Sequence, residues 1–114
     1  MIRATIAIAL SLFCSNAAAF DQEDWCSRLA GEAEVVLPDS TRCDCVTETH
    51  AIEIEHATDW YEAIGQSLYY AMQTGKKAGI ALILASEKDR RYWERLNSTI
   101  KHYNLPIETW RLIK

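Results

Sequence analysis

The chain has 114 residues, 49% apolar and 25% charged, with four Gly, two Pro, four Cys and a formal charge of −4. That is enough for one globular domain, and it excludes a disordered tail, a collagenous or low-complexity chain and a multidomain enzyme. No period of about 20–50 residues recurs, which excludes a repeat array.

In chain order, residues 1–19 read as a secretory signal. Met1-Ile2-Arg3 is a short positive start, residues 4–14 are apolar and uncharged, and Ala17-Ala18-Ala19 supplies small residues for cleavage after Ala19. The run is too short to span a membrane stably, and Phe13 is too bulky for the position before a lipid-modified Cys14. The expected domain is therefore residues 20–114, exported to the periplasm or secreted.

Residues 21–30 suit a short helix, with acidic residues in the first turn, Trp25 and Leu29 four apart, and Gly31 as the stop. Residues 32–37 are a strand, closed by Pro38-Asp39-Ser40. Residues 42–46 and 51–55 are two more strands around a polar turn at Glu48-Thr49. Asp59 and Glu62 are spaced as a capping box for a helix over 60–74, which Gly75 ends. Its apolar stripe, Ile64, Leu68 and Met72, marks the expected buried side. Residues 79–85 are apolar on both faces, as a central strand covered by helices would be. Ser86 and Asp89 open a helix to about Tyr103, and residues 107–113 are an edge strand after Leu105-Pro106. The expected fold is an α/β domain of order αβββαβαβ, with a mixed sheet between helices. Trp60, Trp93 and Trp110 suit its core.

An oxidising compartment favours one disulfide among Cys26, Cys43 and Cys45. Cys43 and Cys45 flank Asp44 on one strand, so alternation points both to the face opposite Asp44. Cys26 can pair with either. Cys43-Asp44-Cys45 lacks the two-residue spacing of the usual redox motif and has no second metal-ligand pair. Charge is uneven: residues 20–73 carry a net −10 and residues 74–114 a net +5. An acidic half beside a basic half differs from a simple basic nucleic-acid coat and suits a carboxylate-lined metal site next to a cationic surface.

If the hairpin turn is centred between Glu48 and Thr49, residues whose numbers sum to 97 face each other. Asp44 then opposes Glu53 and Arg42 opposes Glu55, with Cβ atoms ~4.5–5.5 Å apart. Asp44, Glu53 and Glu55 share one face, and Ile52 and Ile54 take the other. Directly opposed carboxylates repel unless a proton or cation lies between them, and Mg²⁺ (or Mn²⁺) is the natural partner because it takes oxygen ligands and keeps several waters. The plain alternative is a solvated acidic hairpin in which Arg42–Glu55 is an ordinary cross-strand pair.

Arg42-Cys43-Asp44-Cys45-Val46, Ile52-Glu53-Ile54-Glu55 and Gln66-Ser67-Leu68-Tyr69-Tyr70, in this order and spacing, resemble the PD-(D/E)XK (restriction-endonuclease-like) nuclease superfamily. Its core runs helix, three strands, helix, strand. The resemblance covers roughly residues 25–85. It implies that Asp44 and Glu53 hold a metal, with Glu32 or Glu34 placed like the family's N-terminal acidic residue. It also implies that Gln66 and Tyr70 match the Gln-x-x-x-Tyr motif of one branch. Glu55 stands where the family usually has Lys, so it cannot supply positive charge to a developing phosphorane; Arg42, or Lys76 and Lys77, would have to.

The resemblance implies metal-assisted phosphodiester hydrolysis. Glu55 would orient or deprotonate water, and Gln66, Tyr70 and Arg42 would support the site or the nucleic-acid backbone. A second reading is a catalytically inactive, nuclease-derived interaction module in the periplasm; a third is a thiol redox protein using Cys43 and Cys45. The expected partner of an active enzyme is nucleic acid, DNA first, with a homodimer compensating for the small surface. Lys88, Arg90, Arg91 and Arg95 form a basic helix start that could touch phosphates or be a solvated face. His50, His56 and His102 read as turn, strand-end and surface residues.

Overall fold

The computed structural model describes residues 20–114, so the expected signal segment, including Cys14, lies outside the described residues. Acidic residues and a cap start the first helix, α1 (Gln22–Arg28): the Asp21 side chain accepts from the Asp24 N–H at 3.2 Å. Three strands follow, β1 (Glu32–Val36), β2 (Arg42–Val46) and β3 (His50–His56). Helix α2 (Trp60–Thr74), strand β4 (Lys77–Leu84), helix α3 (Arg90–Tyr103) and strand β5 (Ile107–Ile113) complete the domain. Gly75 ends α2 in the left-handed conformation, φ 69°, where a glycine carries no Cβ penalty. The expected Asp59–Glu62 capping box is not formed: Asp59 makes no side-chain cap hydrogen bond, and a 3₁₀ turn at Ala57–Asp59 leads the chain into α2 instead.

The strands form one mixed five-stranded sheet in the order β1-β2-β3-β4-β5. β2 is antiparallel to both neighbours, while β3, β4 and β5 run parallel. Parallel pairs need crossover helices, which α2 and α3 supply. They cover the same face of the sheet, and α1 packs on the other. β4 is buried along almost its whole length because both its faces are covered. Its Ile80, Leu82 and Leu84 pack with Ala63 and Leu96 beneath α2 and α3. Ala81 and Ile83 pack with Ile52, Ile54, Cys26 and Cys45 on the α1 side, where Trp25 and Trp110 close the core. Trp110 lies on Gly79, where a Cβ would stand 2.7 Å from the indole, so this close approach requires glycine.

The disulfide joins Cys26 to Cys45, tying α1 to β2 with a Cα–Cα distance of 5.8 Å, and leaves Cys43 free and buried. Gly31 is pressed against this bridge: a Cβ there would lie 2.7 Å from one sulfur and 2.8 Å from the other. Cys43 and Cys45 do not share a face as alternation predicts. Cys45 lies in the α1-side core, whereas Cys43 packs with Leu37, Ala51 and Tyr70 on the α2 side. The reason is an irregularity in β1–β2. The rungs Ala33↔Cys45 and Val35↔Cys43 flank Glu34 and Asp44, which form no rung, and Glu34 takes φ 53°. Both strands switch face here: across Glu34, Ala33 packs with the Cys45 core and Val35 with the Cys43 cluster.

Replacing Cys26 and Cys45 together with alanine is expected to lower the unfolding free energy by about 2–4 kcal/mol, read from urea melts. Alkylation of the unfolded, unreduced protein followed by mass spectrometry should find Cys43 as the single free thiol of residues 20–114.

Candidate functional site

Between its terminal histidines, strand β3 is apolar except for two carboxylates on one face. Ile52 and Ile54 fill the α1-side core, so alternation turns Glu53 and Glu55 towards α2. Helix α2 covers that face, and Glu53 is only 6% exposed. The hairpin register matches the expected one: Cys45 opposes Ile52, Val46 opposes Ala51, and the Thr47 N–H closes the turn on the His50 carbonyl at 2.9 Å. At the next position the ladder stops. Asp44 Oδ2 accepts the Ile54 N–H at 2.8 Å, so a carboxylate takes the place of a backbone acceptor beside Glu53.

The surroundings of Glu53 are short of partners. Its Oε1 is buried and makes no hydrogen bond. Burial pushes its carboxyl up to about 9, aided by a hydrogen bond with Asp44 and then by the charges of Asp44 and Glu55, which favours the protonated form at neutral pH. Glu55 is half-buried and also shifted upwards, first by burial and then by the charges of Asp59, Asp44 and Glu62. The His56 N–H, donating to Glu55 Oε1 at 3.1 Å, opposes that shift. The buried Cys43 thiol is pushed up to about 11, chiefly by desolvation, and is a packed, protonated wall of the site.

Tyr70 is brought to these groups and Gln66 is not. The buried face of α2 is Ala63, Ser67 and Tyr70, and the expected apolar stripe is displaced, with Met72 71% exposed. Small residues at 63 and 67 let the helix sit close to the sheet, which presses Tyr70 against Cys43 and Ala51. Burial raises the Tyr70 hydroxyl's proton affinity, and the charge of Glu53 adds to it. Gln66 is exposed. On the same helix the Tyr69 hydroxyl donates to Asp39, tethering the β1–β2 turn to α2.

The other expected groups lie elsewhere. Arg42 does not pair with Glu55; its guanidinium is 4.0 Å from Glu34, because the β2–β3 ladder has ended before this rung. Glu32 and Glu34 are exposed on the edge strand, Glu32 in register with Val46 near the hairpin. Lys77 pairs with His50 and Lys76 Nζ donates to the Glu48 carbonyl at 2.8 Å. Both lysines therefore sit at the far end of β3, five residues or ~17 Å from Glu55, away from the carboxylates. His50 is built into a polar chain on the α1 face, Nδ1 to Thr49 Oγ1 at 2.7 Å and Nε2 to Glu108 at 2.8 Å. His56 and His102 are exposed.

Asp59 and Glu62, which the sequence suggests only as caps, belong electrostatically to the carboxylate group around Glu55. Among the described residues, no three His, Cys, Asp or Glu side chains converge as a preformed cage for a metal ion. Mg²⁺ does not require one, since it is usually held by one or two carboxylates and retains waters. Asp44 and Glu53 are the two adjacent carboxylates that could hold such a cation, in place of a proton between them. No family model matches the chain, and neither a curated protein nor a solved structure matches it.

The raised Glu53 carboxyl makes stability fall with pH. Below the ordinary carboxylate range Glu53 is protonated in both states and adds no pH dependence. Above it the unfolded chain ionises while the folded chain keeps its proton, so stability drops until the raised folded value is reached. In EDTA, Glu53→Gln is expected to remove this slope and to gain roughly 2 kcal/mol on wild type between pH 4 and pH 7, measured by denaturant melts across that range.

Proposed function

We propose that the protein is a metal-dependent nuclease with a restriction-endonuclease-like core, hydrolysing phosphodiester bonds outside the cytoplasm. The observation that carries this reading is the buried, proton-holding Glu53 with its unpartnered oxygen beside Asp44. The succession of helix, three antiparallel strands, covering helix and parallel strand supports it. So does the convergence of Tyr70 on the carboxylates. Export is supported by the Cys26–Cys45 disulfide, and no helix among the described residues is long and apolar enough to cross a membrane.

In this reading Asp44 and Glu53 hold the cation, and Glu53 releases its proton to do so. A bound Mg²⁺ or Mn²⁺ would supply the positive charge that polarises a phosphoryl oxygen and acidifies water. Glu55, whose proton affinity is raised by burial and by its acidic neighbours, is placed to accept a proton from water. Tyr70 offers a hydroxyl that stays protonated and can donate to a carboxylate or to phosphate. Arg42 and Gln66 reach outward and serve the nucleic-acid backbone rather than the carboxylates. Glu32 and Glu34 would contribute only if β1 shifts inward when the cation binds, and a homodimer would extend the surface available to a duplex.

A second reading, an inactive nuclease-derived binding module, is favoured by one observation. Glu55 stands in place of lysine, Arg42 and Lys76 are engaged elsewhere, and Lys77 lies at the far end of β3.

Cleavage of plasmid, linear and single-stranded DNA and of RNA separates the two. The nuclease reading expects cleavage with Mg²⁺ or Mn²⁺, none in EDTA, and a loss of about 100-fold or more in Asp44→Ala and Glu53→Ala. Because the cation displaces a proton, Mn²⁺ affinity measured by calorimetry should rise with pH and vanish in Asp44→Asn. Well-folded protein that cleaves nothing and binds no metal supports the module.

A further inference from the structure

The carboxylate site accounts for the acidic half of the chain and leaves the basic half unused. On α3, Arg91 and Arg95 are one turn apart and both lie over the ring of Tyr92, their guanidinium carbons 4.7 and 5.5 Å from its centroid. Arg91 also donates to the Tyr92 hydroxyl at 2.9 Å. Neither guanidinium makes an ion pair with a carboxylate among the described residues, in contrast to Arg90, which is 3.2 Å from Glu87. Two cations are thus held in place by an aromatic ring and keep their outward N–H groups free. Such a pair suits phosphate oxygens, since its ordering cost is met before a ligand arrives.

Beside them runs an open groove lined by Trp60, Arg91, Glu94, Arg95, Ser98 and Thr99. Trp60 is half-buried as the first residue of α2, and Tyr61, mostly exposed, stands edge-on to it with centroids 5.6 Å apart. Indole and phenol rings at the rim of a cationic groove offer flat faces to unstacked bases, which duplex DNA keeps inside. Trp60 follows the end of β3 that carries Glu55, so the groove opens on the same sheet end and the same face as the carboxylates.

We infer that this groove binds single-stranded nucleic acid, with Arg91 and Arg95 on successive phosphates and Trp60, with Tyr61, under a base, leading the strand towards Glu55. The inference deepens the nuclease reading and rests on it for the role of the bound strand. It names single strands rather than duplex as the preferred substrate class. Glu94 in the groove wall works against simple polyanion adhesion and leaves Arg91, Arg95 and the aromatic rings to set the path.

The test is fluorescence anisotropy of a labelled 12-nucleotide single-stranded DNA with the purified protein in EDTA, where metal-dependent cleavage is stopped. Wild type is expected to bind the single strand more tightly than the duplex of the same sequence. The double variant Arg91→Ala/Arg95→Ala, both at exposed positions, should weaken binding at least tenfold. It should also flatten the slope of log K against log salt by about 1.4, because two phosphates of the single strand are no longer neutralised. Trp60→Leu should weaken binding about tenfold or more, and binding should quench tryptophan fluorescence in wild type. Arg28→Ala, which removes a positive charge on α1 at the other face of the sheet, should bind as wild type does. An unchanged affinity in the double arginine variant, duplex bound as tightly as single strand, or no binding at all overturns the proposal. The two readings fail separately: cleavage that persists without groove binding removes the groove. Groove binding without metal-dependent cleavage removes the nuclease.

Discussion

One carboxyl group in an apolar strand constrains much of this structure. Glu53 stands between Ile52 and Ile54 and beneath α2, and a buried carboxylate is tolerated only if it is paired, coordinated or protonated. Without a cation it takes the last course, with Asp44 reinforcing the outcome. Asp44 reaches that position because the β1–β2 ladder breaks at Glu34 and Asp44, and because its carboxylate replaces a missing acceptor for the Ile54 N–H. A domain selected for stability alone would place an apolar residue at 53. A buried carboxyl with raised proton affinity is the kind of group around which sites are built, and the proposed function rests on it.

The rest of the fold holds that site in place. The Cys26–Cys45 bridge fixes β2 from the α1 side, immediately next to Asp44, while Cys43 packs on the opposite face beneath Tyr70. Ala63 and Ser67 allow α2 to lie close over β3, and the Tyr69–Asp39 contact ties that helix to the β1–β2 turn. The carboxylates are therefore enclosed by a disulfide-anchored strand and a closely packed helix. This arrangement limits the freedom of Asp44 and Glu53 before any ligand binds, which is what a precise binding site demands.

Much of this was legible in the sequence, and the failures have identifiable causes. Alternation and turn chemistry are local rules, and they placed the β2–β3 hairpin in its observed register, with Cys45 opposite Ile52. The α2 boundaries followed from Gly75, and the central strand from its unbroken apolar run. The face of α2 did not follow. Ile64, Leu68 and Met72 are more apolar than Ala63 and Ser67, yet the close approach of helix to sheet buries those two small side chains with Tyr70 and leaves Met72 in solvent. The opposed faces of Cys43 and Cys45 accompany a break in the β1–β2 ladder at Asp44 and the positive-φ Glu34, which no composition rule marks at a glutamate. Lys76 and Lys77 looked near the site because they follow its helix. A parallel crossover, however, returns the chain to the opposite end of the sheet. Arg91 and Arg95 were visible as a basic run, but their joint stacking on Tyr92 was not.

The central claim is that Glu53 holds a proton whose place a divalent cation takes. Carbon-13 NMR of the glutamate side-chain carboxyls, with Glu53→Gln to assign the signal, reads that exchange directly. The account predicts a Glu53 carboxyl that titrates well above the ordinary carboxylate range in EDTA and is ionised at neutral pH once Mg²⁺ is added. A Glu53 signal that titrates normally in EDTA, or one that keeps its proton at saturating Mg²⁺, would contradict it.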